Sequence, residues 1–268
     1  MPHLDYQKRD GIAYLVMNRP ERRNALSPQM IVEMAAAWQD FRDDREARVA
    51  ILTGAGDRAF CAGADLGLLI PLLSGARKPE DEHDEALLAD RSLMQKALLR
   101  DFELYKPVIA AVNGFALAGG TEILQATDLR IAAEHAEFGL SEVMRGIIPA
   151  GGSLVRLARQ IPYCKAMQIL LTGDRMSAEE AYRIGLINEV APAAEVLGRA
   201  EALAARIAEN GPLAVAACKE AVTRTSGLPL NDAFRIENEL AGRVMRSKDA
   251  IEGPRAFMEK RKPEFRGE

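Results

Sequence analysis

An uninterrupted apolar run, Val108-Ile109-Ala110-Ala111-Val112, leads into Asn113-Gly114 and then, through Ala118-Gly119-Gly120, into Thr121-Glu122. A short apolar run rich in β-branched residues, bounded by Lys106-Pro107 and a glycine, fits a strand buried on both faces. The small residues after it fit a tight turn and a helix opening near Gly119. Strand, turn and helix in that order constrain the chain to an α/β plan with largely parallel pairing. The plan recurs upstream. Ile12–Met17 reads as a strand, and Ser27-Pro28 as an N-cap with proline at the first helical position. Met30, Ile31, Met34, Ala37, Trp38 and Phe41 follow at helical spacing. Val49–Thr53 and Leu129–Ala133 supply two further short strands.

A helix that opens in glycines leaves its first N–H groups unpaired and unshielded, and these donors favour negative charge in front of them. Glu122 stands on the first turn of such a helix. Glu142, twenty residues on, follows another glycine in Glu137-Phe138-Gly139-Leu140-Ser141-Glu142. Two carboxyls beside oriented donors suit proton transfer next to a stabilised oxyanion. A further small-residue turn, Ala59-Phe60-Cys61-Ala62-Gly63-Ala64-Asp65-Leu66, follows the Val49–Thr53 strand. Alone it signifies only a tight loop. Paired with the Gly119 turn, it allows N–H donors from two turns to meet one carbonyl oxygen. A single glutamate on a helix is usually a solvated surface residue, so the pair within ordered motifs carries the argument.

Composition narrows the setting. The 268 residues carry a formal net charge of -4 and a pI of about 5.6, so no global basic field recruits nucleic acid. Cys61, Cys164 and Cys218 are odd in number and widely spaced, giving neither a disulfide framework nor a metal-ligand pairing. Cys61 has no histidine near it in sequence and reads as packing. The first residues lack a signal-peptide profile and no apolar run reaches spanning length, so a cytoplasmic protein away from membranes is expected. From Leu66 to Asp90 the pattern loosens into an irregular binding or mobile segment, its acidic Glu80–Glu85 stretch read as a solvated loop. After Gly151 the chain turns helical, with candidates over 154–161, 164–171, 178–184, 194–208 and 213–225. A short strand over 187–190 precedes Pro192, and a final helical stretch runs from about Asn231 to Lys262.

These motifs together resemble the crotonase, or enoyl-CoA hydratase/isomerase, superfamily. The carriers are Arg22-Arg23-Asn24-Ala25-Leu26, Phe60 to Leu66, Lys106 to Glu122 and Phe138 to Glu142. Gly146-Ile147-Ile148-Pro149 with Gly151-Gly152, Leu171-Thr172-Gly173 and Ala181 to Val190 extend the likeness over nearly the whole chain. The resemblance implies a spiral of ββα turns over 1–195 holding an acyl-CoA active site. It further implies a C-terminal helical region, 196–268, for trimerisation and CoA covering, in a homotrimer or dimer of trimers. No cofactor is implied beyond the coenzyme A of the substrate, and no metal.

By the same resemblance, the N–H groups of Ala64 and Gly119 form the oxyanion hole, and Glu122 and Glu142 occupy both catalytic glutamate positions of the hydratases. Arg22, Ala25, Ala62, Asp65 and Leu66 match CoA-contacting positions, as do Phe257 and Lys260 near the C-terminus. The implied reaction is hydration of a 2-enoyl-CoA. Carnitinyl-CoA-like dehydration, enoyl-CoA isomerisation and acyl-CoA hydrolysis are the alternatives that share the oxyanion hole. A binding protein on the same scaffold, RNA-binding members included, is disfavoured by the acidic pI and the lack of a Lys/Arg stripe. Thr121 stands where hydratases frequently carry Cys, and Leu140-Ser141 where Gln-Pro is common. Both departures flank the acyl pocket.

Overall fold

A computed structural model describes residues 1–268. Its strands are β1 (Leu4–Arg9), β2 (Ile12–Met17), β3 (Val49–Gly54), β4 (Ala59–Cys61), β5 (Val108–Val112), β6 (Phe115–Leu117), β7 (Leu129–Ala133), β8 (Glu137–Gly139), β9 (Arg175–Ser177) and β10 (Glu189–Ala191). Six form one sheet in the order β1-β2-β3-β5-β7-β10, and four form a second in the order β4-β6-β8-β9. Pairing is parallel except at β1–β2 and β8–β9, so both sheets are mixed. From β3 to β8 the chain alternates, one strand in the large sheet and the next in the small one, with helices following each pair. That alternation matches the spiral of ββα turns that the resemblance implies, within the α/β plan read from the residues.

Every residue of β3 and β5 is buried, because helix Val196–Ala208 and the second sheet's β4 both pack against these central strands. Helix Pro28–Asp43 presents Met30, Ile31, Met34, Trp38 and Phe41 to the core. Its N-cap is Ser27, whose Oγ accepts from Met30 N–H at 3.1 Å. Trp38 packs edge-on against Phe41 and donates its indole N–H to Ala97 O at 3.2 Å, tying this helix to the short helix Ser92–Ala97. Asparagines peg the strand ends. Asn24 Nδ2 donates to Ala59 O at 2.7 Å and Asn113 Nδ2 to Gly54 O at 2.8 Å, which sets where the chain leaves one sheet for the other. On the far side, helix Val196–Ala208 lays Val196, Ala200 and Ala204 into the same core.

Several local expectations are corrected. The segment after Leu66 is ordered as helices Leu69–Ser74 and Glu82–Ala89. Its acidic stretch is exposed at Glu80, Asp81, Glu82 and Glu85, as expected, but opens a helix rather than a loop and buries Asp84. Asp81 caps the second helix through the N–H groups of His83 and Asp84, and Asp84, 2% exposed, receives Arg77 through two hydrogen bonds of 2.6 and 2.8 Å. The final helical stretch divides into Leu230–Met245 and Asp249–Met258. β1 adds a hairpin through Asp10-Gly11, both at positive φ.

Candidate active site

The two glycine turns interlock. Gly63 adopts φ +93, and a Cβ there would lie 2.7 Å from Ala118 Cβ and 2.9 Å from Leu117 O. A Cβ on Gly120 would run into Cys61 O, so neither glycine can be replaced by a residue with a side chain. Ala118 itself is held at φ 50, ψ -122, a conformation that costs an alanine about 1–3 kcal/mol and points to a constrained site. The Cys61–Asp65 turn is stitched to the preceding loop by Ala62 N–H to Arg23 O, Leu26 N–H to Gly63 O and Asp65 N–H to Leu26 O. Between these bonds the N–H of Ala64 finds no acceptor in the chain, and neither does that of Gly119 at the helix start. Ala64 N lies 3.7 Å from where a Gly119 Cβ would sit. Two free donors therefore stand side by side, their geometry fixed before any ligand arrives.

Glu122 follows one turn into helix Gly119–Leu124 and is 5% exposed. Its Oε1 accepts from Gly151 N–H at 2.7 Å and, more weakly, from Ser153 N–H at 3.4 Å. Burial raises its pKa, while these donors, the Arg156 charge and the Ser153 hydroxyl oppose the rise. Glu142 lies on the 3-10 turn Ser141–Arg145, which Gly146 ends at φ 71. It is buried, its Oε2 has no partner in the chain, and its pKa is pushed up to about 7. Burial is the main cause and the nearby Glu122 charge adds to it, against its own backbone N–H and Arg145. Thr121 joins the two carriers: its Oγ1 meets Gly139 O at 3.0 Å and Gly139 N at 3.2 Å, fastening the Glu122 helix to the strand that leads to Glu142.

The remaining expected positions divide into near and far. Ala25 and Ala62 sit on the stitched loops beside the free donors. Arg22 ends the short turn Pro20–Arg22 and is exposed, as is Leu66. Asp65 faces inward, pairing with Arg19 at 2.8 Å and accepting from Gly67 and Leu68 N–H. Phe257, 84% exposed, and Lys260 lie at the end of the last helix, joined to none of the other candidates by a hydrogen bond within the chain. Arg19, Gly151, Ser153 and Arg156 were not singled out as site residues beforehand. Apart from Asn24 and Ala25 beside Arg19, the partners of their side-chain hydrogen bonds lie 28 to 58 residues away, and no local pattern marks such pairings. The Cys61 thiol is fully enclosed and pushed up to about 12, which leaves it unreactive at neutral pH.

A cavity of about 870 Å³ lies elsewhere, between Arg48, Lys106, Pro212 and Phe265. It contains neither carboxyl, so chemistry rather than size marks the site. No three His, Cys, Asp or Glu side chains gather to hold a metal, and no helix is long and apolar enough to cross a membrane.

Two buried carboxyls beside two free N–H donors can stabilise an oxyanion and move protons on either side of it. Comparison with known proteins gives that arrangement its context. The family model described as enoyl-CoA hydratase/isomerase matches residues 7–268. Enoyl-CoA hydratase EchA19 of Mycobacterium tuberculosis is 45% identical over 264 residues, covering 98% of this chain and 96% of that protein. Carnitinyl-CoA dehydratase of Proteus mirabilis is 39% identical over 268 residues, covering 98% of each. A crystal structure of an enoyl-CoA hydratase from Mycobacterium tuberculosis superposes with a TM-score of 0.89 at 38% identity, covering all of both chains. The chain belongs to the enoyl-CoA hydratase/isomerase, or crotonase, family. It is an acyl-CoA enzyme of that family, with relatives divided between hydratases and carnitinyl-CoA dehydratases.

Proposed function

We propose that the chain is an enoyl-CoA hydratase, a hydro-lyase that adds water reversibly across the 2,3 double bond of a 2-enoyl-CoA to give a 3-hydroxyacyl-CoA. The observation that carries this reading is the pair of buried carboxyls with unequal surroundings. Glu122 has two N–H donors and a nearby cation, which favour its ionised form. Glu142 has an unpartnered oxygen and a pKa near 7, which favour a retained proton. Glu122 takes a proton from water as its oxygen bonds to the β-carbon. The double-bond electrons move through the α-carbon onto the thioester oxygen, held by the N–H groups of Ala64 and Gly119. Glu142 then delivers its proton to the α-carbon. One such oxyanion donor is worth about 3 kcal/mol and each positioned acid or base ~10²–10⁴-fold in rate.

The CoA moiety is assigned to Arg22, Ala25, Ala62 and Leu66 at the mouth, with Phe257 and Lys260 contributed by a neighbouring subunit. Asp65 acts indirectly, by holding its turn to Arg19. The exposed apolar side chains Leu230, Phe234, Ile251 and Met258 on the C-terminal helices support a homotrimer or a dimer of trimers. A second reading, dehydration of a carnitinyl-CoA-like 3-hydroxyacyl-CoA, is favoured by the Proteus mirabilis relative and uses the same groups in reverse. Turnover of 2-enoyl-CoAs against L-carnitinyl-CoA, each followed by product mass, tests the assignment. Dehydration of carnitinyl-CoA with no hydration of simple enoyl-CoAs selects the second reading.

A further inference from the structure

We propose that Arg156 is a positioning residue for this reaction, clamping helix Ser153–Gln160 to the Leu98-Leu99 turn and so fixing the backbone donors that hold Glu122. The inference rests on the hydratase reading above. Leu99 and Asp101 both occupy the left-handed region, at φ 49 and φ 54, where a leucine or aspartate needs outside support. Arg156 gives it: Nη2 donates to Leu99 O at 2.6 Å and Nη1 to Leu98 O at 3.3 Å. A second strap comes from Arg100 Nη1 to Ala150 O at 2.6 Å.

Between the two straps lies Gly151, whose N–H holds Glu122. A Cβ on Gly151 would lie 2.7 Å from both Leu98 Cδ1 and Glu122 Oε2, so turn, glycine and carboxylate pack without slack. The guanidinium also folds back over its own helix start, Nη1 lying 2.8 Å from where a Gly152 Cβ would be. Ser153 is held in turn by Gln125 Nε2, at 2.8 Å from its Oγ, just past the end of the Glu122 helix. A shift at Arg156 therefore reaches the carboxylate through Gly151 and Ser153 together.

Charge acts in the same direction. Glu122 feels Arg156 from helix Ser153–Gln160, while Glu142 on the Ser141–Arg145 turn feels Glu122 and Arg145. Arg100 and Asp101 act with opposite signs on Arg156, whose own pKa is lowered chiefly by burial. A neutral N–H donor would satisfy the carbonyls of Leu98 and Leu99 equally well, yet would leave the ionisation of Glu122 unaffected.

Arg156→Met and Arg156→Lys separate the two roles. Each is followed by kcat and KM across pH, and by carboxyl titration in ¹³C-glutamate-labelled protein, with Glu122→Gln identifying the Glu122 signal. Arg156→Met is expected to lower kcat about 100-fold with KM little changed. The Glu122 titration and the acid limb of the pH profile both move to higher pH, since an ionised Glu122 loses its cation. Arg156→Lys keeps the titration near wild type but lowers kcat about 10-fold, because a point charge cannot span both carbonyls. An unmoved Glu122 titration in Arg156→Met, or undiminished kcat in Arg156→Lys, overturns the proposal. If Arg156→Met does not fold, Arg156→Lys decides alone by its kcat. Wild-type protein inert on every enoyl-CoA removes the hydratase reading, while the titration still decides the link between Arg156 and Glu122.

Discussion

Glu142→Gln should stabilise the protein as pH rises while abolishing most turnover. The wild-type carboxyl has an ordinary pKa of 4.5 when unfolded and about 7 when folded. Below pH 4.5 it is protonated in both states and adds nothing to the pH dependence. Between 4.5 and 7 the unfolded chain releases the proton while the fold retains it, so stability falls. Above 7 both states are ionised and the deficit is constant. At 1.36 kcal/mol per tenfold, the full difference is about 3 kcal/mol. Solvent reaching the site from the substrate side reduces this to about 2 kcal/mol. A glutamine cannot ionise, so the variant escapes the loss. Its amide adds a pH-independent cost for an unpartnered N–H, which cancels when the stability difference is compared across pH. Urea unfolding at fixed protein concentration, read by the buried Trp38, measures it at pH 4.5, 6 and 8. The variant-minus-wild-type difference should climb by about 2 kcal/mol over that range. A flat or falling difference would show that Glu142 does not hold a proton in the fold, and the acid role assigned to it would go too.

Glu122→Gln should lower kcat by ~10²–10⁴-fold with the fold retained, as circular dichroism alongside steady-state kinetics would show. Gly151→Ala places a methyl 2.7 Å from both Glu122 Oε2 and Leu98 Cδ1. It should cut kcat by about 100-fold while KM for CoA thioesters changes little, and an unaffected kcat would contradict the tight fit. Arg19→Ala leaves the half-buried Asp65 with only its two backbone N–H donors and frees Ala25 O, so it should cost about 1.5–3 kcal/mol of unfolding free energy by urea titration. A loss under about 1 kcal/mol would mean that the two loops hold together without the ion pair.

How much of this was legible depended on the range over which each residue acts. β3 and β5 stood out because a fully buried strand needs an apolar run whatever surrounds it, and β2 and β7 because they are nearly so. The turns at Gly63 and Gly119 were readable because a close backbone approach excludes side chains. The three-residue strands β4, β6, β8 and β9 are too short to show a period and exist through their pairing in the second sheet. The β1 hairpin did carry a local sign in Asp10-Gly11, a dipeptide suited to two positive φ angles. Asp84 reads as solvated in the sequence because an acidic cluster looks the same whether it faces water or, as here, one member turns inward onto Arg77 while Asp81 stays exposed. At the site, the sequence placed Glu122 and Glu142 beside glycine turns. It could not show the unequal support around them, since Gly151, Ser153 and Arg156 reach Glu122 only through the folded chain.

The most direct test of the central claim is loss of the conjugated-enoyl ultraviolet absorbance of crotonyl-CoA and of longer and branched 2-enoyl-CoAs, with product mass, for the wild type and Glu122→Gln/Glu142→Gln. The account predicts gain of one water on at least one substrate by the wild type and near-complete loss of that gain in the double variant. Equal hydration by the double variant, or no turnover of any substrate while CoA thioesters still bind, would contradict it.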